Sequence, residues 1–151
     1  MFNFPRAMAV REDDAMSQPL TGSCLCGAVR FTVNGPLGVA LNCQCGMCRK
    51  AHSAAYRSRV GVAKRDFAWS AGEELVTWYE SSPTTRRGFC SRCGSRLVSE
   101  FTDDPESLGV PLALFDSDPG VRPQMHIHVA SKAPWHEICD DLPQHEGPPP
   151  V

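Results

Sequence analysis

The sequence predicts an all-β fold, mostly antiparallel with only short helical turns, and two observations support this prediction. Short segments rich in Val, Phe, Tyr, Trp and Thr are separated by Gly, Pro, Ser or Asp at the intervals typical of all-β chains. No segment carries an apolar stripe at helical spacing for three turns. With 151 residues, the chain is long enough for one domain with its own core.

The predicted elements follow one another along the chain. The first clear strand is expected over 28–33, where side chains alternate, and Asn34-Gly35-Pro36 then forms a turn. Short helical turns are expected over 45–51 and 64–67. Residues 116–120 are predicted to form a turn rather than a calcium loop, because no glutamate follows at the required spacing. Further strands are expected over residues 37–42, 54–62, 74–79, 86–89, 96–101, 108–114 and 125–129.

Both ends are predicted to lie outside the domain, which spans residues 20–146. Residues 1–19 mix charged and small side chains without periodicity, which predicts a flexible lead, and Met16 offers an alternative start. Residues 147–151 contain three consecutive prolines, which have no N–H to donate, so we expect an exposed tail. No repeat or internal linker interrupts the sequence between these ends.

Composition disfavours several classes of partner. A net charge of -2 with scattered Lys and Arg provides no field that attracts nucleic acid. No apolar run approaches the roughly 18 to 20 residues needed to cross a bilayer, and charged residues interrupt the start of the chain where an export signal would be apolar. Eight cysteines without such a signal favour metal thiolates over disulfides, so we expect a cytoplasmic protein.

Seven of the eight cysteines fall into three clusters, over residues 24–26, 43–48 and 90–93. Residues two apart on an extended segment point to the same face, so a C-x-C pair can place both sulfurs on one ion. A C-x-x-C pair achieves the same through a turn. Seven thiols are more than one tetrahedral site requires.

Spacing leaves two pairings of these clusters open. A zinc ribbon would leave three clustered cysteines without metal, and its ligands would be Cys45, Cys48, Cys90 and Cys93. The alternative uses every clustered cysteine and is favoured for that reason. It combines a closed site of four thiolates with an open site of three. Its two sets are Cys24, Cys26, Cys90 and Cys93, and Cys43, Cys45 and Cys48.

Several motifs together resemble the glutathione-dependent formaldehyde-activating enzyme family, in the same order and over about residues 20–146. The first motif is Gly22-Ser23-Cys24-Leu25-Cys26-Gly27-Ala28-Val29, and the second is the cysteine triple, Cys43, Cys45 and Cys48, followed by Arg49-Lys50. The third is Phe89-Cys90-Ser91-Arg92-Cys93-Gly94. The fourth is His126-Ile127-His128 with Lys132-Ala133-Pro134-Trp135. The resemblance implies two Zn²⁺ per chain. It implies zinc-anchored, coiled antiparallel β-sheets like those of the Mss-four proteins, which bind Rab proteins. It also implies a structural zinc on Cys24, Cys26, Cys90 and Cys93 and a catalytic zinc on Cys43, Cys45 and Cys48.

The reaction implied by the resemblance is the reversible addition of glutathione to formaldehyde, a carbon–sulfur lyase-type reaction that yields S-hydroxymethylglutathione. A zinc ion on three thiolates has an open position that can bind a thiol and lower its pKa. The expected partners are therefore a small thiol and a small aldehyde. The alternative function is a non-enzymatic, zinc-braced β-scaffold that binds another protein, and a third is a redox or zinc-buffering thiol protein.

Other side chains near the triple are candidates for substrate contact. His52 follows Cys48 by four residues and is expected to cap a short helix; the alternative is that it fills the open metal position. Four basic residues could meet the carboxylates of glutathione, although surface solvation is the commoner reason for such residues. They are Arg49, Lys50, Arg57 and Arg59.

Candidates towards the C-terminus are assigned mainly to structural roles. His126 and His128 are expected on one face of a strand, with hydrogen bonding as the more frequent role and metal binding as the alternative. Cys139 is expected to be a small buried residue rather than a fourth metal ligand. The tryptophans are expected to fill the core, with Pro134-Trp135 also available to line a pocket. They are Trp69, Trp78 and Trp135.

Overall fold

The structure is a computed structural model that describes residues 18–150, and two β-sheets form its framework. The all-β prediction is confirmed. Most of the predicted lead over 1–19, including Met16, and the last residue of the predicted tail lie outside the described residues. None of the helices among residues 18–150 is long and apolar enough to span a membrane.

The strands and helix have the following bounds. The strands are β1 (Leu20–Ser23), β2 (Arg30–Val33), β3 (Ala40–Cys43), β4 (Arg57–Ala63), β5 (Phe67–Ala71), β6 (Val76–Ser82), β7 (Thr85–Cys90), β8 (Arg96–Phe101), β9 (Ser107–Pro111) and β10 (His126–Ile127). The α-helix is α1 (Gly46–His52). Single 3-10 turns cover Lys64–Asp66, Glu73–Leu75, Leu112–Leu114 and Val129–Ser131.

The smaller sheet has three strands in the order β1-β2-β5, and the larger has seven in the order β10-β3-β4-β9-β8-β7-β6. Neighbouring strands are antiparallel except for β10, which runs parallel to β3 through the pairs His126 with Asn42 and Ile127 with Cys43. This parallel pair was not predicted, because β10 follows a long irregular segment whose direction cannot be read from local sequence.

The two sheets pack face to face around an apolar core. On β2, Phe31 and Val33 are buried while Arg30 and Thr32 are more exposed, the alternation expected of a strand with one covered face. The Phe31 ring stacks on Phe67 with centroids 5.1 Å apart. The larger sheet contributes Ala40, Val60, Val62, Val98, Leu108 and Val110 to the same core.

The other face of the seven-stranded sheet carries α1. Because side chains alternate along β3, Ala40 points into the core between the sheets while Leu41 and Cys43 point to the opposite face. There they pack with Cys48 of α1 and with Ile127 of β10. The two faces of one sheet therefore have different environments, and the central cysteines lie on the α1 side.

Several expectations about individual elements are corrected. Strands β1 and β5 were not predicted, since β1 is short and contains a glycine, and β5 begins at Phe67, where a short helical turn over 64–67 was expected. The strand expected over 125–129 ends at Ile127, because His128 adopts a left-handed backbone with φ of 54°. His126 and His128 therefore do not share one face of a strand.

The tryptophans divide between core and surface. Trp69 and Trp78 are half-buried and pack against the core, as expected. Trp135 is 71% exposed, so its assignment to the core is wrong. It lies after the last strand, in a segment without sheet neighbours to cover it, and lines an open cavity of about 510 Å³.

We predict that Phe31→Ala lowers the free energy of unfolding by about 3–5 kcal/mol, because it removes a fully buried ring from between the two sheets. Urea denaturation followed by circular dichroism measures this change. Tyr79→Ala is the matched control, since Tyr79 is 63% exposed. Equal losses from the two variants would contradict the described packing.

Candidate metal centres

Four cysteine sulfurs meet where two hairpin tips touch. Cys24 and Cys26 lie in the connection between β1 and β2, while Cys90 ends β7 and Cys93 lies in the loop before β8. All four sulfur atoms are within 4.8 Å of one another. The group therefore joins the three-stranded sheet to the seven-stranded sheet.

Each hairpin tip curls around its sulfurs through a glycine. Gly27 and Gly94 have φ values of 75° and 76°, in the left-handed region that other residues rarely adopt. The N–H of Gly27 donates to the carbonyl of Cys24 at 2.9 Å, and that of Gly94 donates to the carbonyl of Cys90 at 2.8 Å. The turn closed by Gly27 spans three residues and that closed by Gly94 spans four, and each brings two cysteines close together.

Hydrogen bonds to the sulfurs of Cys24 and Cys93 favour the thiolate forms of these two cysteines. The backbone N–H of Val29 donates to the sulfur of Cys24 at 3.3 Å. A hydrogen bond from the hydroxyl of Ser95 lowers the pKa of the Cys93 thiol to about 5. The same hydroxyl accepts from the backbone N–H of Leu25 at 2.9 Å, so Ser95 connects the two tips. Ser95 was not predicted, because serine after a C-x-x-C-G motif looks like ordinary loop sequence.

The sulfur spacing fits a tetrahedral metal ion. Metal–sulfur bonds of about 2.3 Å place tetrahedral sulfurs about 3.8 Å apart. The sulfur of Cys26 lies 3.5 Å from that of Cys24 and 3.9 Å from that of Cys90. No disulfide joins any cysteine within residues 18–150, and a disulfide would need sulfurs at about 2.05 Å. Four soft donors at these distances can therefore hold one ion.

A second group of three sulfurs lies at the start of α1. Cys43 ends β3, Cys45 is the N-cap of α1, and Cys48 lies in the first turn of the helix. The Cys45 sulfur accepts a hydrogen bond from the backbone N–H of Cys48 at 3.3 Å. The three sulfurs lie within 4.8 Å of one another, and Cys43 and Cys48 are buried.

No other histidine, cysteine, aspartate or glutamate of residues 18–150 joins these three sulfurs. His52 ends α1 but is not part of the group. Cys139 is exposed and its thiol lies 3.7 Å from the carbonyl of Glu137, so the expectation that it is a buried residue is wrong. The structure groups the sulfurs as four and three, and it does not bring Cys45 and Cys48 to Cys90 and Cys93.

Basic side chains surround the three-cysteine group. Arg57 is only 3% exposed and Arg87 only 7%. Arg57 was expected to be solvated at the surface, and its burial shows that this expectation is wrong. Arg87 donates from Nη2 to the sulfur of Cys48 at 3.7 Å. Lys50 is exposed, as expected, whereas Arg49 donates to the backbone carbonyl of Ser131 at 3.0 Å. Arg87 was not among the basic residues predicted to lie near the triple, although alternation along 86–89 places its side chain on the strand face opposite that of Arg86.

These surroundings determine the charge states at the second group. The pKa of the Cys48 thiol is lowered because it accepts hydrogen bonds from the Cys43 and Cys45 thiols and lies near the guanidinium groups of Arg57 and Arg87. The pKa of the His52 imidazole is lowered to about 4, first by burial and then by the charge of Arg57. His52 is therefore neutral at pH 7.

A chain of hydrogen bonds between polar side chains begins at Gln44, which lies between Cys43 and Cys45. The fully buried Gln44 donates from Nε2 to Nδ1 of His126 at 3.1 Å, which makes Nε2 of that imidazole the donor to Asp140 at 3.0 Å. The backbone N–H of Gln44 also donates to the carbonyl of Ile127 at 2.9 Å. His126 therefore has the hydrogen-bonding role that was expected. Gln44 and Asp140 were not predicted, because only the fold brings them together.

An open groove of about 380 Å³ runs between the end of α1 and the four-cysteine tip. Its lining includes His52, Arg96 and Pro111. Arg96 uses its Nε to donate to the carbonyl of Ala51 at 2.7 Å, which anchors the end of α1. The groove thus reaches from solvent to the histidine beside the three-cysteine group.

The fold and the site define a class of protein, in which β-sheets carry one four-cysteine and one three-cysteine candidate metal centre. The family model described as "Glutathione-dependent formaldehyde-activating enzyme" matches residues 19–131. The chain belongs to this family, as the sequence motifs indicated.

Two similar proteins agree with this membership. A protein of Halomonas elongata named "Putative glutathione-dependent formaldehyde-activating enzyme" is 35% identical over 128 residues, which are 79% of this chain and 80% of that protein. The crystal structure of a Rhodobacter sphaeroides protein is 29% identical, with a TM-score of 0.56, and the match covers 68% of this chain and 91% of that chain.

We predict that His126→Phe lowers the free energy of unfolding by about 1–3 kcal/mol, because the ring is kept while the buried Gln44 amide loses its partner. Chemical denaturation measures the loss. His136→Phe is the control, since His136 also packs against Tyr56 but is less buried. A control variant as destabilised as His126→Phe would argue against the polar chain.

Proposed function

We propose that this protein is a zinc-dependent enzyme that reversibly adds a thiol such as glutathione to a small aldehyde such as formaldehyde, a carbon–sulfur lyase-type activity. Membership of the family supports the reaction. The observation that carries the proposal is the group of Cys43, Cys45 and Cys48, whose three sulfurs lack a fourth side-chain donor among the described residues. Such a site keeps one position for a substrate.

The donor sets suit two zinc ions with different roles. Four thiolates make the closed coordination of a structural zinc, and their proposed ligands are Cys24, Cys26, Cys90 and Cys93. At the second centre, Cys43, Cys45 and Cys48 would hold a zinc ion that, when bound, would lower the pKa of an incoming thiol. The free thiols of residues 18–150 also support a reducing, cytoplasmic location.

The chain itself prepares the second centre for thiol chemistry. Arg87 and the N–H of Cys48 donate to sulfurs of the group, which holds these thiolates in place. In the overall reaction a sulfur–carbon bond forms, the carbonyl double bond becomes single, and the proton lost by the thiol ends on the carbonyl oxygen. The neutral His52, which lines the groove, can accept a hydrogen bond from an entering thiol.

We expect freshly purified protein to contain two zinc ions per chain and the two centres to respond differently to substitution. Cys48→Ala should remain folded with one zinc, whereas Cys93→Ala should be insoluble or molten, because metal-binding energy at the closed site is folding energy. Elemental analysis and near-ultraviolet circular dichroism measure these outcomes. The reverse pattern would show that the two roles are exchanged, and a reproducible content of one zinc would contradict the two-centre proposal.

We expect the zinc-loaded protein to accelerate formaldehyde consumption by glutathione above the spontaneous rate, and Cys48→Ala to lose at least about a hundredfold of this acceleration, on the order of 3 kcal/mol in barrier. Cys139→Ala is the control and should keep full activity, because Cys139 belongs to neither group. No acceleration by a protein with both zinc ions would reject the named reaction and favour a zinc-braced binding scaffold.

A further inference from the structure

Three arginines lie close to the three-cysteine group and have no carboxylate partner within residues 18–150. The ion pairs of the described residues involve other basic groups. Arg57 and Arg87 are more than nine-tenths buried, and Arg59 is partly buried. Burying a guanidinium is unfavourable unless an opposing charge lies near it, and the opposing charge beside these arginines comes from the sulfurs of the three-cysteine group, which a bound metal ion would largely take up.

The hydrogen bonds of these arginines are incomplete. Arg57 donates from Nη2 to the carbonyl of Gly109 at 2.7 Å, but its buried Nε has no acceptor. Arg87 donates from Nε to the hydroxyl of Ser81 at 2.9 Å, while its buried Nη1 has none. Donors left without acceptors beside a candidate substrate position indicate that an anionic ligand belongs there.

Arg59 is the least buried member of this set. Its guanidinium lies over the ring of Phe101 with 5.6 Å to the centroid, and the absence of a side chain at Gly109 leaves room for its stem. Burial lowers the pKa of Arg59, while the nearby Cys43 and Cys48 thiols oppose that shift. The guanidinium of Arg59 therefore lies in the field of the same sulfurs.

A count of formal charge defines the missing ligand. Three thiolates and one divalent ion carry a single negative charge, whereas the three arginines carry three positive charges. Two positive charges remain. A ligand that brings one thiolate and one carboxylate would neutralise both, and a guanidinium can bind a carboxylate through two parallel hydrogen bonds.

We propose that Arg57, Arg59 and Arg87 select a thiol that carries a carboxylate. The thiolate occupies the free position beside Cys43, Cys45 and Cys48, and Arg59 binds the carboxylate with the charges of Arg57 and Arg87 behind it. This inference rests on the proposed function and adds a determinant of substrate specificity to it. Neutral and cationic thiols are disfavoured because they leave buried positive charge uncompensated.

A series of three small thiols tests the inference without turnover. The probes are 3-mercaptopropionate, 2-mercaptoethanol and cysteamine, which are anionic, neutral and cationic, added to the full chain loaded with Co²⁺ in place of Zn²⁺. Binding is measured from the change in the visible absorption of Co²⁺. We expect 3-mercaptopropionate to bind at least about tenfold more tightly than 2-mercaptoethanol, and cysteamine to bind most weakly. Because the ammonium group makes cysteamine the most acidic of these thiols, thiol acidity alone predicts the reverse order.

The outcomes separate the inference from the function on which it rests. Equal affinities, or affinities in the order of thiol acidity, would overturn the selection of a carboxylate while leaving thiol binding intact. A Co²⁺ spectrum that none of the thiols changes would overturn the proposed function together with the inference.

Substitution of Arg59, the least buried of the three arginines, gives a second test. Arg59→Gln should reduce the preference for 3-mercaptopropionate over 2-mercaptoethanol by about tenfold without loss of metal, whereas buried Arg57 and Arg87 are less suitable for substitution. Arg86→Gln is the matched control, because Arg86 neighbours Arg87 on β7 but is exposed and pairs with Glu100 at 2.5 Å. An Arg59→Gln variant that kept the same preference as Arg86→Gln would overturn the role of Arg59.

Discussion

The junction of two hairpin tips at the four-cysteine group is the constraint on which the arrangement of the sheets depends. Its cysteines come from the β1–β2 and β7–β8 connections, separated by more than sixty residues of chain. The three-stranded sheet has strands of only four or five residues and covers the core with one face. A sheet of this size gains much of its stability from what it packs against, so a metal ion held by these four cysteines would support the whole core.

The two faces of the seven-stranded sheet have different roles: one packs the apolar core, and the other holds the candidate reaction centre. One face packs valines and leucine against Phe31, and the other carries the polar and charged groups around Cys43. Arg57 lies directly opposite Cys43 on the neighbouring strand, so antiparallel register alone places a guanidinium beside the cysteine triple. Further across the same sheet, Arg87 of β7 pairs with Ser99 of β8. A candidate reaction centre can therefore be charged and partly buried while the core stays apolar.

Local patterns predicted some elements closely and others poorly. The strand predicted over 96–101 coincides with β8, because turn-forming residues bound the segment at Gly94-Ser95 and at Asp103-Asp104. The short helix beginning near Cys45 was also predicted, and its N-cap geometry follows from local spacing. The strand over 125–129 was too long, since the turn at His128 depends on a left-handed backbone stabilised by later residues. The N–H of His128 donates to the carbonyl of Gly147 at 2.8 Å.

The sequence by itself determined the β class, the three cysteine clusters and, through their resemblance to a family, the division of seven thiols into four and three. Those features are carried by residue type and spacing, which act over a few positions. Only the tertiary structure decided that Arg57 and Arg87 are buried without carboxylates, that Gln44 reaches Asp140 through His126, and that Trp135 is exposed. Alternation indicates which residues share a face of a strand, but burial depends on which distant segment covers that face.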